Sequence, residues 1–262
     1  MAQLKDRDRT RKPSTAGRRA GGFDSMKTGM GSERMGARLD VPLVRQPYKS
    51  NICGFAGLSM IYKFYGMDAS VSDLKSRIEL HPIGTYAPQL GLDLLSNDFD
   101  VDIVTYNPYL VCKAYQNLSQ EGLLKEFEAR YRKVRLKRKP AYAKIKLALR
   151  YFIDFMNAGG RVTVKLPDRS DITGEIDSGR PMAALLTTRF LNSKRPVFNF
   201  HFVVVTGYSG DTVYTNDPLW RPGKKENWGV SSLTFDELSY AITASAFGDL
   251  DNACLIKIRR KS

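Results

Sequence analysis

One cysteine in this sequence stands where a reactive thiol would be expected. Cys53 precedes Gly54 and opens an apolar run that ends near Tyr65, with the spacing of an amphipathic helix. The free backbone N–H groups and the dipole at a helix N-terminus favour the thiolate, which is the nucleophilic form of cysteine. A small residue that packs in the core is the alternative interpretation of Cys53.

Three further side chains could complete a site for thiol-based acyl chemistry. His201 can act as the base, and Asp217 can hold its imidazole in one tautomer. Gln46 lies seven residues before the cysteine, so its side-chain N–H and the backbone N–H of Cys53 could together bind an oxyanion. We therefore predict a catalytic set of Cys53, His201, Asp217 and Gln46.

A predicted β-hairpin over residues 199–218 carries both the histidine and the aspartate. A three-residue loop at 209–211 would pair Val203 with Asp217. His201 would then lie diagonal to Asp217 on the same face of the sheet, with about 5–7 Å between the Cβ atoms. A two-residue turn would place the two side chains on opposite faces, so the triad is conditional on the three-residue loop.

The elements that must position these residues predict an α+β fold, because helices come first and strands cluster late. Helices are predicted over residues 53–65, 70–80, 86–97, 119–135, 140–158, 170–179 and 234–243. Strands are predicted over residues 101–107, 161–166, 181–188 and 253–258, in addition to the two strands of the hairpin.

The net charge of +14 is concentrated in two segments. Residues 1–40 carry ten basic and five acidic residues, residues 125–150 carry eleven basic and two acidic residues, and the remainder is formally neutral. Residues 1–40 have almost no large apolar side chains, so we predict a disordered basic arm there. Residues 41–262 are predicted to form one domain, with a basic helical insertion at about 112–150.

The basic insertion mixes tyrosines with cations, a composition that suits phosphate contacts and base stacking. We therefore consider binding of RNA, DNA or another polyanion, and a solvated charged surface is the alternative interpretation. The candidate polyanion-binding residues are Arg130, Arg132, Lys133, Arg135, Lys137, Arg138, Lys139, Lys144 and Lys146.

Other classes of protein are disfavoured by composition. Three cysteines without a CxxC pair and only two histidines argue against a disulfide framework and against a zinc site, and we expect no metal or cofactor. No secretory signal is visible, and no run approaches about 18 apolar residues. A cytoplasmic protein without a membrane span is expected, and a large particle is one setting that would suit the basic segments.

The chain resembles the bacteriocin-processing cysteine peptidases and their stand-alone relatives over three stretches: VPLVRQPYKSNICGFAGLSMIYKFYG, IGTYAPQLGLDLL and GRPMAALL…NFHFVVVTGYSGDTVYTNDP. Those enzymes are papain-like and cut leader peptides after a double glycine. The resemblance implies a papain-like fold with an N-terminal helical half, which bears the cysteine helix, and a C-terminal antiparallel sheet. It also implies that Cys53 is the nucleophile, His201 the base, Asp217 its orienter and Gln46 the oxyanion donor.

Two functions from different classes are therefore expected. The first is a stand-alone cysteine peptidase that acts on a peptide or protein, after Gly-Gly by resemblance. The second is a catalytically silent papain-like scaffold that binds nucleic acid or a large assembly through its basic arm and insertion. Ile52 stands where members of the family often carry Asp, and the basic insertion is an addition to the family's core.

Overall fold

The structure is a computed structural model of the chain, and it describes residues 36–134, 140–187, 199–219, 223, 229–245 and 254–261. The strands are β1 (Ala37–Arg38), β2 (Phe99–Thr105), β3 (Arg161–Val164), β4 (Met182–Leu186), β5 (His201–Ser209), β6 (Thr212–Asn216), β7 (Val230–Thr234) and β8 (Cys254–Arg260). The helices are α1 (Cys53–Phe64), α2 (Val71–Arg77), α3 (Ala87–Leu95), α4 (Gln120–Lys133), α5 (Pro140–Asn157), α6 (Arg169–Asp177) and α7 (Phe235–Ser245), with a 3₁₀ turn at Lys113–Asn117. The α+β class predicted from the sequence is confirmed.

One sheet organises the described residues, in the strand order β3-β2-β8-β4-β5-β6-β7, and β1 pairs with β5 beyond the end of β4. The neighbouring pairs are antiparallel except β2 and β3, which are parallel. The two strands of this parallel pair come from the middle of the chain, so the sheet is more mixed than the antiparallel arrangement implied by the resemblance.

Helices cover both faces of the central strands, which explains why β4 is apolar at every position. Ala183 and Leu185 pack in the cluster that contains residues of α1 to α5. Met182, Ala184 and Leu186 pack on the opposite face, with residues of α6 and α7. Strands that are buried on both faces lose the alternation of apolar and polar residues that marks a half-exposed strand.

The hairpin of β5 and β6 differs from the prediction. Ser209 pairs with Thr212, so the turn has two residues rather than three, and the three-residue loop was wrong. The register shifts by one between Val205 and Gly207, which leaves Thr206 as an extra, bulged residue. On the His201 side of the bulge, Val204 pairs with Asn216. The extra residue shifts the alternation of side chains by one, so His201 and Asp217 lie on the same face of the sheet despite the two-residue turn.

The beginning of the folded chain also differs from the prediction. Residues 36–40 were expected in a disordered arm, but β1 pairs with β5, and Leu39 N–H donates to the carbonyl of Thr206. A Cβ on Gly207 would stand 2.5 Å from the carbonyl oxygen of Ala37, so glycine permits this close approach. The rest of the predicted arm lies outside the described residues.

The basic insertion forms an antiparallel pair of helices, α4 and α5, that is anchored in the core. Phe127 and Phe152 pack edge to face with 5.7 Å between their ring centroids, and Leu123 and Leu149 are buried beside them. Four of the predicted polyanion-binding residues lie outside the described part of the chain, namely Arg135, Lys137, Arg138 and Lys139. None of the helices in the described ranges is long and apolar enough to cross a membrane.

Candidate active site

Cys53 is the first residue of α1, as the sequence predicts, and its side chain is half-buried. Ile52 occupies the N-cap position and supplies no side-chain hydrogen bond to the first turn. The backbone N–H groups at this end of the helix therefore have no side-chain cap from Ile52, and they raise the electrostatic potential at the sulfur.

His201 begins β5 and Asp217 follows the last residue of β6. The Nε2 atom of His201 lies 2.5 Å from Oδ1 of Asp217, and both residues are buried, with 4% and 9% exposure. The same carboxylate oxygen accepts a hydrogen bond from Leu219 N–H at 2.7 Å, and the backbone N–H of Asp217 donates to Gly229 O at 2.6 Å. One carboxylate oxygen thus binds both the ring and the backbone of Leu219, while Gly229 holds the backbone of Asp217.

The other side of the imidazole contacts the thiol. Because Nε2 is bound to Asp217, Nδ1 is the ring nitrogen left to interact with the Cys53 thiol. The backbone groups of Phe202 and Gly54 also lower the pKa of this thiol. The structure therefore brings the three predicted residues together, with the imidazole hydrogen-bonded to Asp217 and interacting electrostatically with Cys53.

Electrostatics among these three residues favour a charged pair. Burial alone would raise the pKa of the Cys53 thiol, but the charge of His201 and the hydrogen bonds to the sulfur lower it below its ordinary value. Burial alone would lower the pKa of His201, but the charges of Asp217 and Cys53 outweigh burial and raise it to about 10. A thiolate beside an imidazolium is the state that these opposite shifts favour at neutral pH.

Gly54 explains how β5 comes so close to the start of α1. A Cβ at this position would stand 2.1 Å from Oγ1 of Thr85 and 3.2 Å from Cδ2 of Phe202. Phe202 follows His201 in β5, so the missing side chain at Gly54 lets the histidine strand approach Cys53. Glycine here serves packing between two elements.

Gln46 is buried, with 4% exposure, and it forms hydrogen bonds to the segment next to Asp217 and to the segment just before Cys53. Its backbone N–H donates to Pro218 O at 2.9 Å, and its Nε2 donates to Ser50 O at 2.9 Å. Its Oε1 is buried and has no hydrogen-bond partner among the residues that the structure describes. An amide carries two N–H donors on one nitrogen, so the bond to Ser50 leaves one of them for a ligand.

Sequence reasoning missed the loop at residues 81–86. Asn51 Nδ2 donates to the carbonyls of His81 and Pro82, and this ties the loop to the chain just before the cysteine. The Oγ1 of Thr85 is buried and finds no hydrogen-bond partner within the described residues. Gly84-Thr85 lies within the second stretch of resemblance, which was the available signal.

The second histidine, His81, is packed among tyrosine side chains. The Nε2 of His81 lies 2.8 Å from the hydroxyl of Tyr151, and its ring packs edge to face with Tyr86 and Tyr151. Across the described ranges, no group of three or more His, Cys, Asp and Glu side chains is arranged to hold a metal ion. Of the other cysteines, Cys112 is exposed and Cys254 is buried in β8.

The remaining predicted polyanion-binding residues divide between the two helices of the insertion. Arg130, Arg132 and Lys133 lie in the last turn of α4, and Lys144 and Lys146 lie in the N-terminal half of α5. They belong to a surface separate in sequence and in secondary structure from the residues around Cys53.

Three of the solved structures that are similar to this chain are peptidases or peptidase domains. A double glycine motif protease from an AMS/PCAT transporter, solved in complex with the leader peptide, is 13% identical, covers 86% of this chain and 95% of its own, and has a TM-score of 0.43. A putative C39-like peptidase from Bacillus anthracis is 14% identical, covers 87% and 98%, and has a TM-score of 0.44. The peptidase domain of Streptococcus ComA, a bi-functional ABC transporter, is 13% identical, covers 84% and 98%, and has a TM-score of 0.42.

A search of curated proteins found no match to this chain. The model of the Peptidase_C39 like family, in contrast, matches residues 38–246, a range that includes Gln46, Cys53, His201 and Asp217. The papain-like α+β fold predicted from the sequence is confirmed by this match together with the sheet and helices described above. Because the matched range spans most of the sequence, the chain belongs to the Peptidase_C39 like family.

Proposed function

We propose that the protein is a cysteine peptidase with Cys53 as nucleophile, His201 as general acid and base, and Asp217 as the residue that orients the imidazole. The observation that carries this proposal is the buried hydrogen bond between Asp217 and His201, together with the electrostatic coupling of His201 to Cys53. The lowered pKa of the thiol and the raised pKa of the imidazole support it, because this chemistry needs both charged forms.

In the proposed acylation, the Cys53 thiolate attacks the carbonyl carbon of the scissile peptide, and a C–S bond forms. The carbonyl oxygen becomes an oxyanion, which the second N–H of Gln46 and the backbone N–H of Cys53 would stabilise. The imidazolium of His201 gives its Nδ1 proton to the leaving nitrogen, and the C–N bond breaks. A thioester and a free amine result.

In the proposed deacylation, neutral His201 takes a proton from water as the oxygen attacks the thioester. The C–S bond breaks, the peptide leaves as a carboxylic acid, and Cys53 returns to the thiolate beside the imidazolium. Asp217 stabilises the positive ring in both halves of the cycle without itself gaining a proton.

We further propose cleavage after Gly-Gly, as the resemblance to the double-glycine leader peptidases implies. The bond of His201 to Asp217 and its electrostatic coupling to Cys53 favour the peptidase over the silent scaffold. Cytoplasmic location stays a prediction of the sequence.

The proposed function is tested by incubating the full chain with peptides of about twenty residues that contain a central Gly-Gly, and by measuring products with mass spectrometry. We expect cleavage after the second glycine by the wild type and by Cys112→Ala, and none by Cys53→Ala. Peptides with Ala-Ala or Val-Val in place of Gly-Gly test the specificity separately. Equal cleavage by Cys53→Ala and the wild type would refute the assigned nucleophile, and equal cleavage of all peptides would refute only the double-glycine preference.

A further inference from the structure

The α4–α5 pair carries a concentration of positive charge that has no role in the proposed peptidase reaction. No acidic residue occurs from position 129 to position 153, a stretch that contains ten basic residues. In the structure the basic last turn of α4 and the basic N-terminal half of α5 belong to neighbouring helices, and the Nζ of Lys146 lies 4.8 Å from the ring centroid of Tyr131. The cations of the two helices therefore meet at the same end of the pair.

Helix stability accounts for the charges of α4 but not for those of α5. In α4 an acidic residue stands in the first turn and basic residues stand in the last turn, as the helix dipole favours. In α5 the cations Lys144 and Lys146 lie in the N-terminal half, and the acidic residue Asp154 lies near the C-terminus. Both lysines lie beyond the first turn, where the helix dipole has little effect, so the dipole gives no reason for their position.

The α4–α5 pair is also well anchored. Arg130 Nη1 donates to Leu110 O at 3.0 Å, and α5 packs on α3, where a Cβ on Gly91 would stand 2.6 Å from the ring of Phe155. Arg132 has 70% of its side chain exposed, and its Nη1 lies 3.8 Å from Oε2 of Glu128 one turn earlier, an exposed pair that a phosphate can replace. A rigid frame that presents cations loses little conformational entropy when a ligand binds.

From these observations we propose that the surface formed by the last turn of α4 and the N-terminal half of α5 binds the phosphate backbone of single-stranded nucleic acid. Half-buried Tyr131, with Lys146 over its ring, supplies an aromatic group among the cations, and such mixtures suit single strands because every base offers a π-face. Phosphate contacts carry no sequence information, so the binding is sequence-independent. RNA and DNA share this chemistry.

An acidic lipid surface fits these observations less well. Binding of a helix to a membrane interface needs apolar side chains that enter the bilayer beside the cations. In the described part of α4 and α5, the large apolar side chains are buried or half-buried, and the exposed large apolar residues that the structure describes lie outside these two helices. Among its described side chains, the surface therefore offers charge without an apolar anchor.

The test measures fluorescence anisotropy of labelled U20 RNA and dT20 DNA with the full chain between 50 and 300 mM KCl. We expect log K to fall linearly with log[KCl] for the wild type. The double variant Arg132→Gln/Lys133→Gln should bind more weakly, with a salt slope smaller by about 1.4, since each lost contact to a single strand contributes about 0.7. Cys53→Ala should bind as the wild type does, because the proposed surface is independent of the catalytic residues.

The matched control is Lys63→Gln/Lys75→Gln, which removes the same charge from exposed positions on α1 and α2. We expect this control to keep the slope of the wild type. An equal loss of affinity in both double variants would overturn the proposal, because binding would then depend on the total charge of the protein and not on this surface. Absence of any RNA or DNA binding at 50 mM KCl would also overturn it, as would tighter binding to phosphatidylserine vesicles than to either nucleic acid at the same salt.

Discussion

The imidazole of His201 bonds to the carboxylate of Asp217 at 2.5 Å even though a two-residue turn connects the strands that carry them. By parity alone, such a turn would place the two side chains on opposite faces of the sheet. The bulge at Thr206 adds one residue to β5 and restores the common face. The carbonyl of this extra residue accepts a hydrogen bond from Leu39 N–H, and its hydroxyl donates one to the carbonyl of Tyr214.

Replacement of Asp217 by Asn should remove the negative charge that holds the imidazolium. We expect Asp217→Asn to lower kcat/KM by about 10²–10⁴-fold, since general acid–base catalysis by a correctly held histidine contributes this much. Steady-state kinetics on a Gly-Gly peptide measure the effect. Asp211→Asn is the matched control, because Asp211 is an exposed aspartate in the turn of the same hairpin. Equal activity of Asp217→Asn and Asp211→Asn would contradict the role of Asp217.

Gly54 should tolerate no side chain. Gly54→Ala would place a Cβ 2.1 Å from Thr85 Oγ1, so we expect the protein to lose about 1–3 kcal/mol of stability. We also expect it to lose about tenfold or more in kcat, because a misplaced catalytic group is costly. Gly57→Ala, one turn later, meets Val204 at an ordinary 3.7 Å and serves as the control. Urea unfolding and kinetics of both variants check this prediction.

The clash at Gly54 can be separated from other effects by a double-mutant cycle. Thr85→Ala removes the Oγ1 atom that the new Cβ would meet, so Gly54→Ala should cost less in that background. We expect a coupling energy of about 0.5–3 kcal/mol, the range found for residues in contact. Strictly additive effects on stability would show that Thr85 is not what excludes a side chain at position 54.

Gln46 should affect the transition state more than substrate binding. We expect Gln46→Ala to lower kcat by about 10²–10³-fold with little change in KM, the usual effect of removing one oxyanion donor. Gln120→Ala is the control, because it removes a comparable bond from a glutamine Nε2 to a backbone carbonyl, that of Val162, in another part of the fold. A higher KM at constant kcat would assign Gln46 to substrate binding instead.

The pKa shifts of Cys53 and His201 predict a broad pH optimum. Activity should rise with pH as the thiol ionises at its lowered pKa, and it should fall as pH passes the His201 pKa of about 10, where the leaving amine loses its proton donor. The protonated form of His201 also stabilises the folded protein, because its pKa is raised on folding. This contribution is complete below about pH 6.5 and is lost as pH rises towards 10. The pH dependence of kcat/KM, measured from pH 5 to pH 10.5, tests the profile, and a bell centred below pH 6 would contradict it.

Part of the site could be predicted from the sequence because it depends on residue types and local pattern. The helix that begins at Cys53 is confirmed, and so is the helix predicted from residue 70, which begins with a capping box of Ser70 and Asp73; both are set by neighbours along the chain. The contact between His201 and Asp217 is the one that the sequence predicts, although the predicted three-residue turn between their strands was wrong.

Other features depend on contacts between distant segments and left no clear local signal. The bulge accompanies a close approach of β1 at Gly207, and the packing around Gly54 joins a loop, a helix and a strand. The edge strand β7 was missed because VSSLT is largely polar and lacks a buried face. The two residues of β1 are too few to produce a recognisable pattern.

The reactivity of Cys53 tests the central claim most directly. The full chain is treated with iodoacetamide from pH 5 to pH 8, and modification of Cys53, Cys112 and Cys254 is followed by peptide mass spectrometry. We predict that Cys53 reacts fastest of the three cysteines at pH 6, because the pKa of its thiol is lowered, and that His201→Ala removes this advantage. A Cys53 that reacts no faster than exposed Cys112 at pH 6, or that reacts equally in His201→Ala, would contradict the account.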